Sequence, residues 1–277
     1  MIAILGTGLL GSNFARALIK KGETVHVWNR TFERAKALAA DGATPFESAA
    51  DAVRGASRVH IAVSDDAAVD SVLAAAKLAP GTLVLDHTTT SVGGAGARTA
   101  RTDITYVHAP VFMGPKNALE STGLMLVSGN RSRVERVRPM LEPMTGKLID
   151  LGERVDAAAA FKLIGNTFLM GFTAAISDMI GLGKALGLSA TEATSLFEHF
   201  NPGAMTAQRA KTMTSGKFDA PSWELAMARK DARLVQAEVD RAHVALTLLP
   251  AIAARMDAMI ERGHGHDDWT VIAKDFL

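Results

Sequence analysis

Two hydrophobic periods alternate along the first half of this chain. Residues 1–5, Met-Ile-Ala-Ile-Leu, are a short apolar run of the kind a buried strand requires, and residues 12–20 carry apolar side chains at helical spacing. The pattern then recurs. Strands are predicted at 24–28, 58–63, 83–86, 106–110, 124–128 and 147–151, and helices at 35–40, 67–76 and 131–140. Short strands separated by helices predict an α/β fold with a doubly wound parallel sheet over residues 1–154. Beyond Gly152 the strand pattern stops. Residues 156–186 form one long apolar and small-residue stretch. A helix that is apolar nearly all round is a buried one, so this stretch is expected to be a central helix, linking two domains and lined by other helices. Gly165, Gly171, Gly181 and Gly183 allow close packing along it. Further helices are expected at 191–200, 204–213, 223–239 and 249–262, giving an all-α domain over residues 155–277.

Between the first strand and the first helix stands Gly6-Thr7-Gly8-Leu9-Leu10-Gly11. This is the context a dinucleotide-binding Rossmann fingerprint needs. Gly6 makes the tight turn, Gly8 lets the backbone approach a pyrophosphate, and Gly11 lets the helix pack close to the strand. The free amides and dipole of the helix N-terminus then hold the phosphate charge. The second strand ends in Asn29-Arg30-Thr31, where an acid that bonds the ribose 2′-hydroxyl stands in NAD enzymes. Asn29 does not repel a 2′-phosphate, and Arg30 can bind one bidentately. Thr31 adds a hydroxyl, and Arg34 returns to the same side one helical turn later. The expected cofactor is therefore NADP(H). Ligands of such sheets bind beyond the carboxyl ends of the strands. That rule puts Gly6–Gly11, Asn29–Thr31, Val63, Ser64 and Asp65, and residues 86–90 along one rim.

Early in the long apolar stretch comes Ala-Ala-Ala-Ala-Phe-Lys-Leu-Ile-Gly-Asn, which places Lys162 among apolar neighbours and Asn166 four residues on, on the same helix face. A partly buried lysine loses charge stabilisation and its pKa falls. Lys162 can then pass a proton to a carbonyl oxygen, with Asn166 holding the substrate or the lysine. On composition alone, a lysine that snorkels to the surface is the plainer reading.

Composition narrows the field. The chain is 48% hydrophobic, 21% charged and has a net charge of +1, so no basic field points to nucleic acid. With no cysteine, disulfides, zinc–thiolate sites and a cysteine nucleophile are excluded, and the reading fits a reducing compartment such as the cytoplasm. The chain opens directly into a strand, and no signal peptide is expected. Charges or glycines interrupt the longest apolar stretches, so no membrane span is expected. His264 and His266 flank Gly265, but only Asp267 and Asp268 stand beside them, and no metal is expected there.

Taken together, these motifs resemble the β-hydroxyacid dehydrogenase family, which includes 3-hydroxyisobutyrate dehydrogenases and tartronate semialdehyde reductases. The resemblance runs through nearly the whole chain in order. It covers the glycine pattern with Asn29-Arg30-Thr31, then Asp86-His87-Thr88-Thr89-Thr90, then Ala109-Pro110-Val111 through Gly129. Phe161-Lys162-Leu163-Ile164-Gly165-Asn166 and Arg229-Lys230-Asp231 complete it. It implies Lys162 as general acid/base, Asn166 beside it, and Thr89 and Lys230 facing the nicotinamide half of the cofactor. It also implies a small-molecule substrate and a homodimer or higher homo-oligomer formed through the helical domain, whose apolar content is high for one small domain. One segment departs from the family. Where the family has Ser-Gly-Gly gripping a substrate carboxylate, this chain has Phe112-Met113-Gly114. The expected reaction is hydride transfer between NADP(H) and a short β-hydroxyacid or its semialdehyde. The alternatives are an imine reductase on the same architecture and a non-catalytic dinucleotide-binding module. Both usually lack the lysine.

Overall fold

The computed structural model describes residues 1–277, which divide into two compact units, Met1–Asn166 and Thr167–Leu277. The first unit opens with β1 (Ile2–Leu5), α1 (Leu9–Lys20), β2 (Val25–Trp28), α2 (Phe32–Lys36), β3 (Thr44–Phe46), α3 (Ala49–Val53), β4 (Val59–Ile61) and α4 (Asp66–Ala76). It continues through β5 (Leu83–Asp86), α5 (Val92–Thr99), β6 (Thr105–His108), β7 (Val111–Phe112), α6 (Pro115–Glu120), β8 (Leu124–Val127), α7 (Arg131–Leu141) and β9 (Lys147–Asp150). Strands β1 to β6 form an all-parallel sheet in the order β3-β2-β1-β4-β5-β6. Period-2 alternation sorts its side chains. Ile2 and Ile4 enter one core layer with Phe14 and Leu18 of α1, while Ala3 and Leu5 enter the other with Val59 and Ile61. With apolar layers on both faces, the strands read as continuous hydrophobic runs.

The single sheet expected from the sequence is two. The strands at 124–127 and 147–150 pair with each other, and β7 runs antiparallel to β8, in a separate three-stranded sheet. The chain leaves the first sheet at Pro110, after Ala109 N has made the last bond to Asp86 O at 2.7 Å, and Leu126 N donates to Pro110 O at 2.9 Å.

Helix α8 (Ala157–Ala185) begins in the first unit and continues into the second. In the second unit follow α9 (Ala190–Thr194), α10 (Thr206–Ser215), α11 (Leu225–Arg241) and α12 (Leu249–Met259). Their core is small: Phe218, Leu225, Ala228, Ala232, Met256, Met259 and Val271. Asp268, buried, ties this core together by accepting from Ser222 N at 2.8 Å and Thr270 N at 3.0 Å. Glycines on α8 serve close approach at three points, since a Cβ on Gly165 would lie 2.3 Å from Phe112 Cζ, one on Gly183 2.6 Å from Ala193 Cβ and one on Gly181 3.0 Å from Leu246 Cδ2; Gly171 faces open space.

The expectation that α8 is covered by other helices fails within the single chain. Phe161 is 52% exposed, Ile164 65% and Phe168 57%, at helical spacing along one stripe. Apolar composition shows that a face needs cover but not that the same chain supplies it. By length and composition alone α8 could cross a membrane. Lys162, Asp178 and Lys184 interrupt it, and the Asp178 carboxylate accepts from Thr247, Leu248 and Leu249 N at 2.6, 2.8 and 3.1 Å.

Candidate active site

A cleft of about 880 Å³ lies in the first unit, beyond the carboxyl ends of the strands of the parallel sheet. Its floor is the β1–α1 turn. Gly6 has φ +99°, and a Cβ there would lie 2.3 Å from Ala62 O. A Cβ on Gly11 would lie 1.9 Å from Gly6 O, so this position lets helix and turn touch. A Cβ on Gly8, by contrast, would meet nothing within 4 Å, and no side chain caps the N-terminus of α1. Open amides at a helix start, beside an uncrowded glycine, fit a pyrophosphate. Thr7 Oγ1 is buried without a hydrogen-bond partner, a second feature that fits a phosphate at this turn.

Gly6, Gly8, Leu9 and Leu10 line the cleft, as do Asn29, Arg30, Thr31 and Arg34. Asn29 turns inward: its Oδ1 accepts from Thr7 N at 3.1 Å and its Nδ2 donates to Thr31 O at 3.0 Å, so the carboxamide braces the two loops against each other. Arg30 and Arg34 are exposed, and neither is ion-paired; the nearby Glu33 pairs with Lys36 instead. Val63, Ser64 and Asp65 line the cleft too. Asp65 caps α4 by accepting from Ala68 N at 2.9 Å, which holds its carboxyl below the usual range.

Toward the other end come His87, Thr88, Thr89, Val111, Met113 and Lys162. Thr88 Oγ1 accepts from Val63 N at 3.1 Å, and Thr88 N donates to Asp86 Oδ1 at 2.8 Å. Asp86, fully buried, also accepts from Tyr106 OH. Lys162 is 8% exposed, with its Nζ 4.0 Å from the centroid of the Phe112 ring. It has no acidic partner, and burial pushes its pKa down. The ring face offers the ammonium a quadrupole in place of a counter-ion. Gly165 makes room for this arrangement, since a Cβ there would lie 2.3 Å from Phe112 Cζ.

Thr7, Gly11, Phe112, Gly114 and Asn166 lie near the cleft in sequence but are not on its wall. Asn166 shares the Lys162 face of α8 by spacing. Lys230 lies on α11 in the second unit, where it pairs with Asp231 at 2.8 Å. The Gly114 amide is already used: it donates to Asn117 Oδ1 at 3.0 Å. His264 and His266 do not converge. The first pairs with Asp267 and the second with Glu224, and no cluster that could hold a metal is present. Of the rim expected at residues 86–90, His87, Thr88 and Thr89 line the cleft, while Asp86 and Thr90 are buried off its wall. Sequence reasoning gave His87 and Val111 no role of their own, because neither residue type carries a motif there.

A parallel sheet of this order with a glycine cradle at its carboxyl edge is the arrangement of a dinucleotide-binding Rossmann domain. Residues 1–152 match the family described as the NAD binding domain of 6-phosphogluconate dehydrogenase, and residues 157–275 match the NAD-binding family of NADP-dependent 3-hydroxyisobutyrate dehydrogenase. The chain belongs to the β-hydroxyacid dehydrogenase family. It is 35% identical to a probable 3-hydroxyisobutyrate dehydrogenase of Mycobacterium tuberculosis over 68% of this chain and 66% of that protein. It is 26% identical to the 3-sulfolactaldehyde reductase of Escherichia coli over 98% and 94% of the two chains. Among solved structures it shares the fold of an imine reductase from Myxococcus stipitatus in complex with NADP+, with a TM-score of 0.93 at 20% identity and full coverage of both chains.

Proposed function

We propose that the protein is an NADP(H)-dependent oxidoreductase interconverting a short β-hydroxyacid and its semialdehyde, with Lys162 as general acid/base. The observation that carries this reading is the state of Lys162: buried in the cleft wall, without an acidic partner, and with its pKa lowered by desolvation. An ammonium so placed has spare donors and a weakened hold on its proton, which is what protonating a carbonyl oxygen requires. When bound, the dinucleotide supplies or accepts the hydride. Residues 1–154 are the dinucleotide domain in this reading. Gly6, Thr7, Gly8, Leu9, Leu10 and Gly11 hold the pyrophosphate; Asn29, Arg30, Thr31 and Arg34 hold the 2′-phosphate end; Val63, Ser64 and Asp65 line the adenosine side. Thr89 and Lys230 serve the nicotinamide half. Asn166 orients the substrate or Lys162, and Phe112, Met113 and Gly114 border the substrate. Residues 155–277 form the substrate and dimerisation domain, and the exposed apolar stripe of α8 supports a homodimer built on that helix.

A second reading, imine reduction, is favoured by one observation. Phe112 and Met113 are apolar, and the Gly114 amide is engaged by Asn117, so this segment presents little to grip a carboxylate. NADPH oxidation measured side by side with semialdehydes, glyoxylate and cyclic imines tests the two. The first reading expects turnover of a carboxylate-bearing aldehyde that vanishes in Lys162→Ala. Turnover of cyclic imines alone, indifferent to Lys162, would replace it with the second.

A further inference from the structure

A chain of polar side chains runs through the apolar layer between the parallel sheet and α1. Glu23 and Arg58 stand at its outer end, where Arg58 Nη2 donates to Glu23 Oε1 at 2.7 Å. Arg58 Nε donates to His60 Nε2 at 3.1 Å. His60 Nδ1 lies 3.0 Å from His87 Nε2, and His87 Nδ1 lies 2.8 Å from Ala109 O. Both histidines are buried, His60 at 0% exposure. His60 sits on β4 between Ile4 and Leu85 in register, and the Phe14 ring of α1 lies 5.2 Å from His87.

The ends of the chain fix its polarity. Arg58 can only donate and the Ala109 carbonyl can only accept. Each imidazole must therefore be neutral and carry its proton on Nδ1, so that His60 donates to His87 and His87 donates to Ala109. A second proton on either ring would set two N–H groups against each other. Burial, with the neighbouring imidazole adding to it at His60, pushes both pKa values down and keeps the rings neutral. A guanidinium does not release a proton near neutral pH, so the chain cannot conduct protons from the surface to the cleft. What it can do is hold an orientation.

The group it holds is at the cleft. His87 lines the wall, and Ala109 begins the short segment that carries Val111, another wall residue, and Phe112, whose ring lies against Lys162. We propose that His87, oriented by His60, is a positioning residue that fixes the 109–112 segment and so sets where Phe112 meets the Lys162 ammonium. This rests on the reading of Lys162 as the proton donor only for its effect on turnover, not for its effect on the segment.

Side-chain amides make the test specific. Asparagine places a donor where the imidazole Nδ1 stands, whereas glutamine places its polar end where Nε2 stands. His87→Asn therefore keeps the bond to Ala109 and His87→Gln loses it. Amide hydrogen exchange over residues 109–114 should rise in His87→Gln by roughly 3- to 10-fold, the worth of one net hydrogen bond, and stay near wild type in His87→Asn. Turnover should be lower in His87→Gln than in His87→Asn by a similar factor. Equal exchange in the two variants would overturn the proposal, as would exchange that separates them while turnover does not. Because exchange does not depend on what Lys162 does, a failure of the proton-donor reading would show separately, as full activity in Lys162→Ala.

Discussion

The two units of the chain differ in how they complete themselves. In Met1–Asn166 the central strands β1, β4 and β5 are buried on both faces, and the buried polar groups Asp86 and His60 have partners. In Thr167–Leu277 the apolar core is small, and Phe168, Leu169, Met170 and Phe172 of α8 are exposed. A sheet with helices on both sides consumes its own apolar surface, whereas a long helix presents a stripe that a second element must cover. The sheet of the first unit is thus finished in one copy, whereas α8, which starts in that unit with Phe161 and Ile164 exposed and runs on into the second, keeps an uncovered apolar stripe.

The largest effect expected in the first unit is that of Gly11→Ala. Its Cβ would lie 1.9 Å from Gly6 O, and backbone cannot yield as a side chain can. Overpacking costs roughly 1–3 kcal/mol or more, so melting should drop and NADPH binding should be lost. Gly8→Ala, with nothing within 4 Å of its Cβ, should melt like wild type yet bind NADPH weakly. Equal behaviour of the two in a thermal melt would contradict the division of labour between these glycines.

Next is the 2′-phosphate end. Arg30 is exposed and without an ion-pair partner, so Arg30→Ala should not alter stability. A charge-assisted hydrogen bond contributes roughly 1.5–3 kcal/mol, and NADPH affinity should fall by roughly 10- to 150-fold while NADH affinity changes little. Fluorescence titration with both cofactors reads this, and equal losses would assign Arg30 a structural role.

The uncovered face of α8 is sharpened by Ile164→Asp, at a 65% exposed position on the part of that helix that belongs to the first unit. In an isolated monomer this change should be nearly neutral, within roughly 0.5 kcal/mol. In a dimer formed through α8 it buries a charge and should convert the species to monomer by sedimentation. A wild-type monomer at micromolar concentration would remove the interface.

The smallest effect concerns pH. Against the desolvation that would raise it, hydrogen bonds from Thr270 and Ser222 hold the Asp268 carboxyl down at about 2. A depressed folded pKa means stability present above the ordinary carboxylate range and lost as pH falls toward about 2. Asp268→Asn should flatten that acid loss in the helical unit. Unchanged acid melting would contradict it.

Much of the first unit was legible because its signals are local. The glycine turn needs only six consecutive residues, and Leu83–Asp86 reads as a strand from its own apolar run. Helix α5 did not read as a helix, since Gly93, Gly94 and Gly96 argue against one. It stands on a Ser91 cap and on Arg98, which bridges to Asp66 and Asp70 at 2.8 and 2.7 Å. Strand β7 has two residues, too few for a period, so the second sheet was invisible. The His60–His87 pair joins residues far apart in sequence, which no spacing rule reaches. The lysine of α8 was singled out by its apolar setting and given a role by the family resemblance, but the Phe112 ring over it was not foreseen, because only the fold brings β7 to that helix.

The central claim is that Lys162 moves the proton. Single-turnover reduction of the best aldehyde by NADPH-loaded enzyme, wild type against Lys162→Ala, tests it most directly. General acid catalysis contributes roughly 10²- to 10⁴-fold, and a loss of that size is expected with NADPH affinity intact. The wild-type reductive rate should also fall as pH rises through a pKa below the ordinary lysine value of 10.5, because burial depresses it and the ammonium is the active form; that limb should be absent from the variant. A Lys162→Ala enzyme that turns over at the wild-type rate with the same pH profile would contradict the account.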